Sequence, residues 1–147
     1  MTDVVTKRRA SNGQLPRTAP RWLTERSFRR RDIPAVRQFA RAFGARARLH
    51  PARLDDFVLA ASEATASATA CGPSTARVRL WVTGSRAFCE VRGNGMLLRR
   101  TARGTRPGGI PGEEEAMRRL VLRQLSDYVS VASGPDGVCV LLSMRVA

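Results

Sequence analysis

Apolar residues along the chain keep two different periods, and the switch between them divides the sequence into elements. In "DIPAVRQFARAFGARA", residues 32–47, Ile33, Val36, Phe39, Ala40 and Phe43 recur at steps of three and four, the spacing of one helix face. Asp32 is placed to cap this helix, Pro34 suits its first turn and Gly44 suits its stop. Its other face carries Arg37 and Arg41. The next unit, "HPARLDDFVLAASEATASATACGP", has Pro51 near its start and Gly72 just past its end, the asymmetry expected of a helix. Asp55 and Asp56 sit in its early turns, where the helix dipole favours negative charge. On a helical wheel Leu54, Phe57, Val58, Ala61, Thr65 and Ala68 share one face, and Glu63 and Ser67 lie roughly opposite, one above the other.

After Pro73 the period falls to two. Val78, Leu80 and Val82 alternate with Arg77, Arg79 and Trp81, and Ala87, Cys89 and Val91 alternate with Phe88, Glu90 and Arg92, so two strands are predicted, joined by a hairpin turn at "TGSR". Residues 93–112 then hold six of the 12 glycines, two of the eight prolines and four arginines. A loop of that length inside a small domain is a candidate functional segment. A helix is predicted after the triple glutamate of "EEEAMRRLVLRQLSDYV", with Met117, Leu120, Val121, Gln124, Leu125 and Tyr128 as its stripe. Two closing strands flank a Gly-Pro-Asp-Gly turn, with Val138, Val140, Leu142, Met144 and Val146 on one face. "RWLTERSF" adds a short edge strand ahead of the first helix. The pattern predicts an α+β fold, a two-layer sandwich with helices on one face of a mostly antiparallel sheet.

Composition changes this picture at the front of the chain. Residues 1–22 mix basic, small polar and proline residues with few large apolar groups, so a disordered basic tail is expected there and one folded domain over 23–147. The formal net charge is +14, and residues 1–50 alone hold 13 basic against three acidic residues. Such asymmetry points to an anionic partner. Cys71, Cys89 and Cys139 are widely spaced within apolar sequence, which fits neither a disulfide framework nor zinc-ligand spacing and predicts reduced thiols in a cytoplasmic protein. No signal-peptide core and no membrane-length apolar run is present in the sequence.

One residue breaks the composition of its own element. Within "SEATASATACG", residues 62–72, Glu63 is the only charge among small neutral residues. This helix, the hairpin ending "FCEVRGNG" and the closing "LVLRQLSDYVSV" together resemble the histidine-kinase-like ATPase superfamily, and within it the small bacterial serine-kinase anti-sigma factors. The resemblance runs from about Phe28 to the C-terminus. It implies an ATP and Mg2+ site, with Glu63 as the catalytic carboxylate that orients or activates the nucleophile. Ser67 stands where that family has a magnesium-binding asparagine. Gly93, Asn94 and Gly95 stand where an Asp-x-Gly selects adenine. Ala116, Met117 and Arg118 stand near the glycines that bind phosphate, and Gly108, Gly109 and Gly112 upstream offer another backbone cradle.

These departures imply a regulator that binds protein partners, with ATP binding and kinase activity weak or lost. By resemblance the partner is a sigma factor, an anti-anti-sigma factor or a second copy of the chain, met through Arg37 and Arg41. Two other classes stand beside it. One is an active ATP-dependent protein serine kinase using Glu63 and Ser67. The other is an arginine-driven nucleic-acid binder, disfavoured by the scarcity of aromatic residues for base stacking.

Overall fold

The computed structural model describes residues 3–7, 22–70, 74–93, 111–134 and 137–146. The elements are β1 (Asp3–Lys7), β2 (Trp22–Arg29), a 3-10 turn (Arg30–Asp32), α1 (Ile33–Arg46), α2 (Pro51–Ala68), β3 (Thr75–Thr83), β4 (Arg86–Gly93), α3 (Pro111–Leu125), β5 (Tyr128–Gly134) and β6 (Gly137–Arg145). The six strands form one sheet in the order β1-β5-β6-β4-β3-β2, and every neighbouring pair is antiparallel. The expected α+β sandwich is therefore the fold, with three helices over one sheet.

The period-two residues meet in the core. Val78, Leu80, Cys89, Val91, Val140, Leu142 and Met144 are fully buried beneath Phe57, Ala61 and Ala64 of α2. Strand β3 returns into β4 through Gly84 and Ser85, and Gly84 takes φ 57, a conformation open to glycine at little steric penalty. In the segment expected to be a tail, the β-branched run Val4, Val5 and Thr6 pairs with β5 as an edge strand. Residues 8–21 lie outside the described residues.

Helix α2 is the centre of the helical layer, touching α1, α3, β3, β4 and β6. Phe43 of α1 stacks on Phe57 of α2 at 5.7 Å, and Arg41 reaches Asp55 at 3.1 Å. On the other side Arg53 bonds Asp127 at 2.6 Å and the Leu125 carbonyl at 3.3 Å. Asp127 also accepts from the Arg145 amide at 2.7 Å, which clasps α2, the end of α3 and the end of β6 together.

Four local expectations are corrected. Gly44 does not stop α1; a Cβ there would collide with the Leu54 side chain, so the glycine lets α2 approach closely. The stop comes at Ala47, followed by Arg48 at φ 62. The Leu49 amide there bonds the Gly44 carbonyl at 3.0 Å and the Arg48 amide bonds the Ala45 carbonyl at 3.1 Å, the crossed pair of a Schellman cap. Asp32 makes no side-chain cap on α1 and instead accepts from the Arg29 amide at 2.9 Å. Helix α3 starts at Pro111, ahead of the triple glutamate, as suits a residue with no N–H to leave unpaired. Its inward residue is Leu122, 1% exposed, while Met117 and Leu120 are 60% and 49% exposed. The helix thus turns Met117 and Leu120 of the expected stripe outward, while Leu125 packs against the core.

Candidate functional site

Glu63 stands in the fourth turn of α2 and is half-buried. Among the described residues it has neither an ion pair nor a hydrogen bond. Ser67, one turn further on, is 1% exposed. The helical wheel placed both on an open face, but α2 has neighbours on both flanks, and Ala60, Ala64 and Ser67 are buried with the sheet-facing residues. Neighbouring hydroxyls turn back onto the helix: Ser62 donates to the Leu59 carbonyl at 2.9 Å and Thr65 to the Ala61 carbonyl at 2.8 Å.

Gly93 closes β4 against the last turn of α2. A Cβ at this position would strike the Ala68 carbonyl oxygen and come within 2.7 Å of the Ala68 Cβ. The position that the resemblance assigns to an adenine-selecting carboxylate is thus a point of backbone contact between helix and strand. Asn94, Gly95, Gly108 and Gly109 lie outside the described residues, as does Cys71. Gly112 falls inside the first turn of α3 and not in a loop ahead of it. The structure therefore brings together Glu63, Ser67 and Gly93 at the C-terminal half of α2.

Arg37 and Arg41 lie apart from that group on the exposed side of α1. Arg41 is engaged by Asp55 across the helix pair, with both side chains more than half exposed. Glu90 occupies the opposite face of the sheet from the helices. It is 6% exposed, accepts from Arg92 Nε at 3.2 Å and lies 3.6 Å from Arg79 Nη1. Glu25 reaches Arg79 Nε at 3.2 Å, so a ladder of alternating charge crosses β2, β3 and β4. Beside it Trp81 stacks on Phe88 at 5.2 Å. The sequence carried this ladder in the alternation of Arg79 and Glu90, and the register of the strands was needed to see it.

Both described cysteines are free thiols; burial pushes Cys89 and Cys139 above the ordinary thiol range, with the Glu90 charge adding to the rise. Among the described residues no helix is long and apolar enough to cross a membrane, and no group of three His, Cys, Asp or Glu is placed to hold a metal ion.

With this geometry in view, the sequence profile of the histidine kinase-like ATPase domain matches residues 27–144. The chain belongs to the histidine kinase-like ATPase domain family. A search of curated proteins finds no match. The family implies an adenine nucleotide as ligand class, and the described residues can be tested against it. Glu63 fits as a carboxylate with no partner among the described residues. Ser67 does not fit as a metal ligand, because its hydroxyl is enclosed, and Gly93 has no room for the carboxylate that would select adenine.

Proposed function

We propose that the chain is a regulator of the anti-sigma type, acting in transcriptional control by binding a protein partner, in which nucleotide binding and phosphoryl transfer are weak or lost. The observation that carries this reading is the contact of Gly93 with Ala68: the space of the adenine-selecting side chain is filled by the backbone of α2. Buried Ser67 supports it from the metal side, since magnesium takes an open octahedral set of oxygens. The partner, a sigma factor or an anti-anti-sigma factor by resemblance, would meet a basic surface that includes Arg37.

Thermal unfolding with Mg2+ and ATP tests this, with GTP and tripolyphosphate as controls for simple attraction to arginine. A nucleotide at about a hundred times its dissociation constant stabilises a folded site by roughly 2.7 kcal/mol. The expected result is no shift, or the same shift with every polyphosphate. An ATP-selective, magnesium-dependent rise would overturn it.

The second reading is an active protein serine kinase, favoured by Glu63 having no partner among the described residues. Phosphate transfer to a partner that disappears in Glu63→Gln is its signature.

A further inference from the structure

Strand β2 lies at one end of the sheet, and among the described residues no strand pairs with its outer edge. Half of the amides and carbonyls of such an edge point outward and are free to template another strand. Native sheets commonly guard an edge of this kind by covering it or by shortening it. Here the strand runs eight residues and is exposed over most of its length, with Leu23 50% exposed at one end.

Beside this edge is a groove of about 430 Å³ between β2 and α1, lined by Trp22, Leu23, Thr24, Phe39, Ala42, Phe43 and Arg46. Its floor is aromatic: Trp22 meets Phe43 edge-on at 6.2 Å. Two exposed guanidinium groups sit against its walls, Arg46 at 4.7 Å from the Trp22 ring and Arg26 at 5.3 Å from the Phe39 ring. Neither forms an ion pair among the described residues. The 3-10 turn that follows β2 adds Arg30 and Arg31.

We infer that the β2 edge and this groove form a docking site for an extended, acidic protein segment. The segment adds as a seventh strand through main-chain hydrogen bonds. Its side chains at every second position face the groove side of the sheet, where apolar ones enter the groove and acidic ones meet Arg26 and Arg46, which lie on that same side. Charge decides between occupants. A second copy laid edge to edge would bring two sets of the same arginines together in a chain of net charge +14, whereas an acidic strand neutralises them. The inference rests on the reading of the chain as a protein-binding regulator and names the chemistry of the partner.

The test uses the full 15N-labelled chain titrated with a capped octapeptide that carries leucine and glutamate at its groove-side positions with serine between them, and with the counterpart in which lysine replaces glutamate. The acidic peptide should shift amides of residues 22–29 and the Trp22 indole. Its affinity should fall at least tenfold in Arg26→Glu/Arg46→Glu and, separately, in Leu23→Glu, whose position is exposed enough to tolerate the change. The same spectra report that each variant is folded. Equal binding of the lysine peptide, shifts that map elsewhere, or variants that bind unchanged would overturn the inference. So would a dimer in sedimentation that Leu23→Glu dissolves, or tighter binding of a single-stranded oligonucleotide at the same residues. Failure here leaves the nucleotide melting experiment untouched, so the two readings fail separately.

Discussion

At Gly93 a single hydrogen in place of a side chain decides how α2 meets β4. Since the Ala68 main chain occupies the space of a Cβ, Gly93→Ala forces helix and strand apart. We expect a loss of about 1–3 kcal/mol, the range for overpacked cores, measured by urea unfolding. Gly93→Asp, which places a carboxylate where the resemblance expects one, should be still less stable and gain no ATP-selective stabilisation. Cys89 makes a second prediction at this scale. Its thiol is fully buried and its pKa is raised, first by desolvation and then by Glu90. A raised folded-state pKa contributes stability that is complete below the unfolded pKa and is lost as pH rises, because the unfolded chain releases its proton first. Stability should therefore decline as pH rises above about 9, and Cys89→Ala should flatten that decline. Equal alkaline slopes for the two proteins would count against it.

Among the elements, the close of α1 and the clasp of α2 carry the predictions. Arg48 holds a left-handed conformation at φ 62 inside a Schellman cap, where an L side chain is strained and glycine is not. Arg48→Gly should stabilise the protein by about 0.5–1 kcal/mol after the larger entropy of the unfolded glycine is counted. A loss in a denaturant titration would contradict the cap. Asp127 accepts from both Arg53 and the Arg145 amide, and the Arg53 and Asp127 side chains are only 32% and 43% exposed. Asp127→Ala should cost about 1–2 kcal/mol in the same titration, more than an open surface pair. Neither feature was legible in the sequence. Helices α1 and α2 and the pairs β3–β4 and β5–β6 were legible, because their periods match the faces they bury. What failed were inferences needing a second element. Gly44 read as a stop until Leu54 was seen against it. Ser67 read as open until α2 was found to have neighbours on both flanks. Met117 and Leu120 read as inward on a helix whose rotation is set by contacts around Leu122. Glu63 was found by its isolation among small residues, and its position one turn before Ser67 follows from the helix alone.

For the whole molecule the governing quantity is charge. With 26 basic residues and 12 acidic ones, most arginines cannot have an acid of their own. Ion pairs between described residues include those of Arg41, Arg53, Arg79 and Arg92, all at least 32% exposed except for the Glu90 end of the sheet ladder. Exposed pairs contribute about 0–1 kcal/mol each, so repulsion among the unpaired cations outweighs them and opposes compaction. Screening weakens both, but repulsion acts over longer distances and is lost first as the Debye length shrinks from about 30 Å at 0.01 M to about 10 Å at 0.1 M. The midpoint of thermal unfolding should therefore rise as sodium chloride increases across that range. The same screening should weaken the acidic octapeptide at the β2 edge, so salt moves stability and partner affinity in opposite directions. A midpoint that falls with salt would mean that the sheet ladder and the α2 clasp dominate the electrostatics, and that the arginines are arranged for the fold and not for a partner.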